Sequence, residues 1–185
     1  MTHYLVFDTE TTGFKPEEGH RIIELAGVRI DESGNEVATF SSLINIPGYE
    51  EIPTYSVNKI NRNILNDAPY FSGIIKNFND IASGAILVAH NSSFDLNFLV
   101  NEYKLLGYDI SSIYAADTLS AARKIIPGRD SYKLSSLAEY FGVEFEGDAH
   151  SALYDSKVTA KIFINLLEKS NKINWKKEQI FSFQV

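Results

Sequence analysis

The sequence predicts an α/β fold, a mixed β-sheet flanked by α-helices. Two patterns point there: three apolar or alternating stretches follow one another at the start, and from Asn61 onward apolar residues recur at helical spacing around one short buried strand. Size is the third observation. With 185 residues, 44% of them hydrophobic, the chain can bury one substantial core and is too short to divide comfortably into two.

Each element has a local reason. Tyr4 to Asp8 carries the apolar run Leu5-Val6-Phe7, bounded by a turn signal at Gly13, and reads as a buried strand. Arg21 to Ile30 (RIIELAGVRI) and Val37 to Ile44 (VATFSSLI) read as the next two strands. Ser33-Gly34-Asn35 supplies turn chemistry between them, so the three are expected to be antiparallel neighbours. In YFSGIIKNFNDIA, Phe71, Ile74, Ile75, Phe78 and Ile81 recur at helical spacing. Ala85 to Ala89 (AILVA) is a short buried strand. It feeds HNSSFDLNFLVNEYKLLG, a predicted helix capped by Ser92 or Ser93, carrying Phe94, Phe98, Leu99 and Tyr103 and ended by Gly107. Asp117 to Ile126 and Leu134 to Tyr140 are shorter predicted helices divided by Pro127-Gly128. Ser151 to Glu168 is a long final one, and Ser170 to Val185 reads as a tail.

Composition excludes several functions. The absence of cysteine removes disulfides, thiolate metal sites and cysteine nucleophiles, so any metal must be held by oxygen and imidazole, which points to Mg²⁺ or Mn²⁺. No basic segment followed by a long apolar run opens the chain, and no run approaches the roughly 18 apolar residues of a membrane span, so no membrane association and a cytoplasmic location are expected. The formal charge of -7 argues against coating long duplex DNA through a broad basic face. An enzyme that grips only a strand end remains compatible with it.

The chemistry starts at Asp8 and Glu10. In a strand, residues two apart share a side, so these carboxylates are expected to point together and to repel unless a proton or a cation lies between them. Asp95 falls in the first turn of a predicted helix, directly after the buried strand, where the helix end favours its charged form; considered alone it reads as support for the helix start. Asp155 lies in the last helix near Leu153, Val158 and Ile162, and considered alone it reads as a solvated helix residue. His150 precedes it by five residues, about 140° around a regular helix, so His150 is expected in the preceding loop or first turn, an arrangement suited to a mobile base.

FDTETTG, AHNSSFDLNFL and HSALYD, in this order, resemble the three motifs of the DnaQ-like family of 3′-to-5′ exonucleases, in the DEDDh branch with four acids and a histidine. The likeness runs from about Tyr4 to Glu168, and YKLSSLAEYFGV is similar to the segment before the third motif. It implies an RNase H-like sheet, an exonuclease domain over residues 1–170 and a C-terminal tail over 171–185. Carried over by position, the resemblance implies that Asp8, Glu10, Asp95 and Asp155 hold two divalent cations, Mg²⁺ or Mn²⁺, and that His150 is the general base. Thr11, Thr12 and Gly13 are implied contacts to the terminal nucleotide. Phe14 offers a stacking surface or belongs to the core, and Ile60 an apolar contact.

Many relatives carry a His-Gly-Ile-Thr stretch where this chain has Asn58, Lys59, Ile60 and Asn61, which alters that edge of the pocket. Lys59 and Arg62 could hold backbone phosphate or be solvated surface. The resemblance implies release of nucleoside monophosphates from single-stranded 3′ ends, DNA ahead of RNA, in proofreading or repair. The alternatives are an oligoribonuclease or RNase T-like RNA 3′-end processor, and a binding module without catalysis. The chain ends soon after its last helix, which implies a stand-alone enzyme or a truncated one. A polymerase is a further candidate partner, as is a sliding clamp, because Gln179, Ile180 and Phe183, with Trp175, Lys176 and Lys177 nearby, loosely resemble clamp-docking peptides.

Overall fold

A computed structural model describes residues 2–108, 110, 113–144 and 151–170. His150 and the candidate clamp peptide around Gln179, Ile180 and Phe183 lie outside them. The described chain forms one five-stranded sheet built from β1 (His3–Thr11), β2 (Ile22–Asp31), β3 (Glu36–Leu43), β4 (Ala85–Ala89) and β5 (Ala115–Asp117), in the order β3-β2-β1-β4-β5. β1, β2 and β3 pair antiparallel, as the turn chemistry predicts, whereas β4 and β5 run parallel to β1.

Seven helices are described: α1 (Tyr55–Asn58), α2 (Arg62–Asn66), α3 (Phe71–Ala82), α4 (Ser92–Leu105), α5 (Thr118–Ile125), α6 (Leu134–Phe141) and α7 (Ala152–Ser170). α3 and α4 cover one sheet face, burying Phe78, Phe98 and Tyr103 against Leu5, Phe7 and Leu87. α7 covers the other, packing Phe163 and Ala160 against Tyr4, Val6, Val28 and Val88, and its outer side carries α5 and α6 through Val158, Ile162 and Leu166. The 3.6-residue pattern of Phe71, Ile74, Ile75 and Phe78 therefore faces the sheet, as predicted.

Four local features differ from expectation. β5 was hidden in the sequence because it is only three residues long, and α1 and α2 are too short to show a period. Neither Ser92 nor Ser93 caps α4. Its N-cap is Asn91 in the left-handed region (φ 64), and the amides of Asn91 and Ser92 donate to Asp117 Oδ1 at 2.8 and 3.3 Å. A carboxylate reaching in from a neighbouring strand thus does the capping that a local serine was expected to do.

Lys59 is the second non-glycine residue with a left-handed backbone (φ 61). An L-residue there costs roughly 1–2 kcal/mol, and glycine avoids the clash while losing more chain entropy. Lys59→Gly should therefore raise stability by about 0.5–1 kcal/mol, measured by urea unfolding. A loss of stability would show that the Lys59 side chain, whose Nζ donates to the Ser56 carbonyl at 2.8 Å, outweighs the backbone strain.

Candidate active site

The end of β1 builds the centre. Leu5 and Phe7 enter the core under α3 and α4, while Tyr4 and Val6 face α7. Continuing that alternation, Asp8 and Glu10 emerge on the α7 side and Thr9 on the other. In the β1–β2 ladder Asp8 sits opposite Ala26 and Glu10 opposite Glu24; the register then shifts, so that Thr11 pairs with Ile22. Such an irregularity ends pairing and re-aims side chains at a strand terminus.

α7 is fastened directly above this patch. The Ala152 amide donates to Glu24 Oε2 at 3.1 Å, and Ser156 Oγ donates to the Ala26 carbonyl at 3.3 Å. Both acceptors lie on β2 beside the acids of β1, and alanine at position 26 lets the helix come close. The result is that oxygens of Asp8, Glu10 and Asp155 lie within 4.8 Å of one another. Asp155 is thereby drawn into the centre, where the sequence alone suggested a solvated helix residue.

Asp95 stands beside this trio rather than in it. It is 3% exposed, and its Oδ1 accepts the Thr9 amide at 3.0 Å and the Thr9 hydroxyl at 2.7 Å. Those bonds fix its orientation from the α4 side of the sheet. Asp95 nonetheless ranks first among the charges repelling Asp8, ahead of Asp155 and Glu10.

Electrostatics register the crowding. Burial and then repulsion by Asp95, Asp155 and Glu10 push Asp8 well above the ordinary carboxylate range. Burial pushes Glu10 to about 7 despite a hydrogen bond from Asn58, and Asp95 to about 7 despite its bonds from Thr9. Glu24 is raised by burial, with the Ala152 amide opposing. Several carboxylates that resist ionisation at one place are a donor set for a hard divalent cation: all oxygen, anionic and convergent.

The neighbouring positions divide by role. Thr11 Oγ1 donates to the Gly13 carbonyl at 2.6 Å, and the Thr12 hydroxyl meets His20 Nδ1 at 3.2 Å and accepts the Arg21 amide at 3.0 Å. Both hydroxyls are thus engaged inside the protein. Gly13 is needed for a close approach, since a Cβ there would lie 2.4 Å from the His20 ring. Phe14 is not core: it is 84% exposed beside this loop. Ile60 is buried, its amide donating to Asn58 Oδ1 at 3.1 Å, while Asn58 Nδ2 donates to Thr54 Oγ1, which in turn donates to the Thr11 carbonyl. Arg62 is committed to the Ile46 carbonyl and Asn45 Oδ1 at 2.7 and 2.8 Å.

Sequence reasoning missed Glu24, Thr9 and Asp117. Glu24 could have been found as the lone acid within RIIELAGVRI, on the alternation that faces α7. Thr9 carries no such signal, nor does the hold of Asp117 on α4, because each acts on a residue far along the chain.

A family model described as Exonuclease (RNase_T) matches residues 5–163. The chain belongs to this exonuclease family. A DNA polymerase III subunit epsilon from Treponema pallidum is 37% identical over 174 residues, covering 92% of this exonuclease chain and 79% of the relative. A PolC-type DNA polymerase III from Caldanaerobacter subterraneus is 36% identical over 177 residues, which is 94% of this chain but only 12% of that protein. In three dimensions the exonuclease fold aligns with Exonuclease X in complex with 5′ overhanging duplex DNA, at a TM-score of 0.71, 25% identity and 97% coverage of both chains. The RNase H-like sheet and the DnaQ-like exonuclease family implied by the motifs therefore hold. Among the described residues no helix is long and apolar enough to cross a membrane.

The acid cluster gives this exonuclease a testable dependence on pH. Glu10 and Asp95 titrate in the folded state near 7, above their ordinary values of 4.5 and 3.8, so folding favours their protonated forms. The stability linked to them is present at low pH and is lost as pH rises from about 4 through about 7. Metal-free protein in EDTA should melt at a lower temperature at pH 8 than at pH 6. Millimolar Mg²⁺ should raise the melting temperature more at pH 8, because it binds the ionised cluster. Equal Mg²⁺ shifts at both values would count against cation binding by these acids.

Proposed function

We propose that this exonuclease removes nucleoside 5′-monophosphates from the 3′ ends of single-stranded DNA, in proofreading or repair beside a polymerase. The observation that supports it most is the convergence of Asp8, Glu10 and Asp155 within 4.8 Å, with Asp95 alongside. The DNA polymerase III relatives favour DNA and a polymerase partner. Asp8, Glu10 and Asp155 would hold one divalent cation, Mg²⁺ or Mn²⁺, and Asp8 with Asp95 would serve a second. When bound, such ions activate water and stabilise the leaving oxygen at a phosphodiester.

The chain's own groups set the rest. Thr9 fixes the Asp95 carboxylate, Glu24 and Ala26 hold the start of α7 over the sheet, and Asn58 links Glu10 to the wall formed by Thr54 and Ile60. His150 would accept the proton of the attacking water at neutral pH. Thr11, Thr12 and Gly13 would shape the floor under the terminal nucleotide, and exposed Phe14 would stack on a base. His150→Ala should lower the rate by roughly 10²-fold at neutral pH. A fall of less than threefold would remove His150 from the proton transfer.

The test is a parallel digestion of 5′-labelled single-stranded DNA and RNA with Mg²⁺ or Mn²⁺, with Asp8→Ala as control. A ladder shortening from the 3′ end, faster on DNA and absent in the control, is expected. Faster digestion of RNA would move the function to RNA 3′-end processing or oligoribonucleotide turnover. Intact substrate in every lane would favour a binding module.

A further inference from the structure

The acid centre can hold the last phosphodiester of a strand, but the phosphates behind it carry one negative charge each and must cross an acidic protein with a formal charge of -7. The two flanks of the centre differ sharply in charge. On the β2 side, the loop after β1 and the segment before α1 are bound to each other through Tyr49, whose hydroxyl meets Thr12 and donates to the Gly19 carbonyl. This flank exposes Glu17, Glu18, Glu50 and Glu51. Its cations are already engaged: Lys15 with Glu18 at 2.7 Å, Lys59 with the Ser56 carbonyl, and Arg62 with Asn45 and Ile46. A polyanion leaving this way meets four carboxylates.

The β5 side is the reverse. From Thr118 to Leu134 the chain carries Arg123, Lys124, Arg129 and Lys133 against the single acid Asp130. This segment lies at the same sheet edge as the acid centre, since β1, β4 and β5 are parallel and the register Val6–Val88–Ala116 brings their C-terminal ends level. Asp117 at the end of β5 holds the turn that opens α4, four residues before Asp95, and is near enough to act on Asp95 electrostatically. Its own charge is occupied by the amides of Asn91, Ser92, Leu119 and Ser120 and by the Ser120 hydroxyl.

Between that turn and the loop joining α5 to α6 lies a cleft of about 550 Å³ lined by His90, Asn91, Arg123, Ser131 and Lys133, among others. The cleft is built on fixed parts. His90 Nδ1 meets the Thr118 hydroxyl at 2.9 Å, and the Tyr132 hydroxyl donates to the Ile126 carbonyl at 3.0 Å, bracing the loop. Arg123 lies 5.9 Å from the Tyr132 ring, and among the described residues neither Arg123 nor Lys133 has an ion-pair partner; both are exposed. Arg123 and Lys133 outnumber Asp130, the one acid of the lining, and a cationic cleft one turn from Asp95 matches a sugar-phosphate backbone.

We propose that this cleft between α4 and the α5–α6 loop is a phosphate subsite for the strand upstream of the scissile bond, with Arg123 and Lys133 as its cations. The strand thus leaves the centre across β4 and β5, away from Glu17, Glu18, Glu50 and Glu51. This rests on the exonuclease reading above and adds the direction and the residues. The subsite serves only substrates long enough to reach it. Long strands gain affinity there, and a single nucleotide ester gains nothing.

The experiment compares a 20-nucleotide single-stranded DNA with the p-nitrophenyl ester of thymidine 5′-monophosphate, which has no upstream backbone. The double variant Arg123→Ala/Lys133→Ala should raise KM for the long strand about tenfold and flatten its log–log salt dependence by about 1.4, at roughly 0.7 per lost phosphate contact. Its kcat and its hydrolysis of the ester should stay within twofold of the wild type. Arg123→Lys/Lys133→Arg should restore KM, while Lys104→Ala, at the far end of α4, should leave it unchanged. An unchanged KM in the double variant, or an equal loss on the ester, overturns the subsite. Wild-type protein inert on both substrates would instead sink the exonuclease reading. Anisotropy of fluorescein-labelled dT12 in EDTA then still decides the cleft: weaker binding by the double variant supports it and equal binding rejects it.

Discussion

Asp8→Asn should abolish cleavage while making the metal-free protein more stable at pH 8. The two effects share one cause. Asp8 sits where Asp95, Asp155, Glu10 and Glu24 all disfavour its charge, so the native protein holds that carboxylate at the expense of its own stability. Asparagine keeps the shape and removes the repulsion. With Asp8 holding both cations as proposed, its loss should remove several kcal/mol of transition-state stabilisation, and at about 1.4 kcal/mol per factor of ten the expected fall in kcat is on the order of 10³-fold or more. In melting experiments the variant should show a smaller Mg²⁺-induced shift and a flatter decline between pH 6 and pH 8. Turnover near the wild-type rate would refute metal binding through Asp8, and a lower metal-free melting temperature would refute the electrostatic account.

Glu102→Ala should be strongly destabilising, at about 3 kcal/mol. Glu102 is 1% exposed and accepts three donors: Arg21 Nε at 2.7 Å, Arg21 Nη2 at 2.6 Å and the Ile22 amide at 3.2 Å. It ties the last turn of α4 to the first residue of β2. Truncation leaves the buried Ile22 amide without an acceptor, and a cation without its partner. The Arg21 side chain is 24% exposed and can turn toward water, which keeps the cost at the lower end of the range for breaking a buried pair. For a domain of this size the melting temperature should fall by roughly 6–12 °C. Glu102→Gln, which retains an acceptor, should lose less than half as much. Because the pair lies away from the acid trio, kcat per folded molecule at low temperature should change less than threefold. A large loss of kcat without loss of stability would show instead that this pair tunes the position of Asp95.

Elements with a period were legible in the sequence, and elements without one were not. Leu5-Val6-Phe7 and AILVA announce buried strands, and Phe71 to Phe78 announces a helix, because burial on one face forces apolar residues to recur at the spacing of the element. β5 has three residues and α1 four, too few to show any period. Caps divide in the same way. Asp117 caps α5 locally, through the amides of Leu119 and Ser120, but it also caps α4 from another strand, which no local rule could reveal. Lys59 in a left-handed backbone and the packing of His20 on Gly13 likewise depend on what surrounds them.

By itself the sequence determined the chemical inventory: no thiol, two carboxylates on one side of a strand end, further acids beside apolar segments, and three motifs in the order of an exonuclease family. Tertiary structure decided which of these acids share one place. Thr9 orients Asp95 across 86 residues of chain, and Glu24 anchors the helix that carries Asp155 across 128. It also separated the acidic flank from the basic one, a difference that the net charge conceals. The physical reason is range: strand and helix periods act over a few residues, whereas the repulsion among buried carboxylates and the bonds that hold them together depend on distances that only folding brings about.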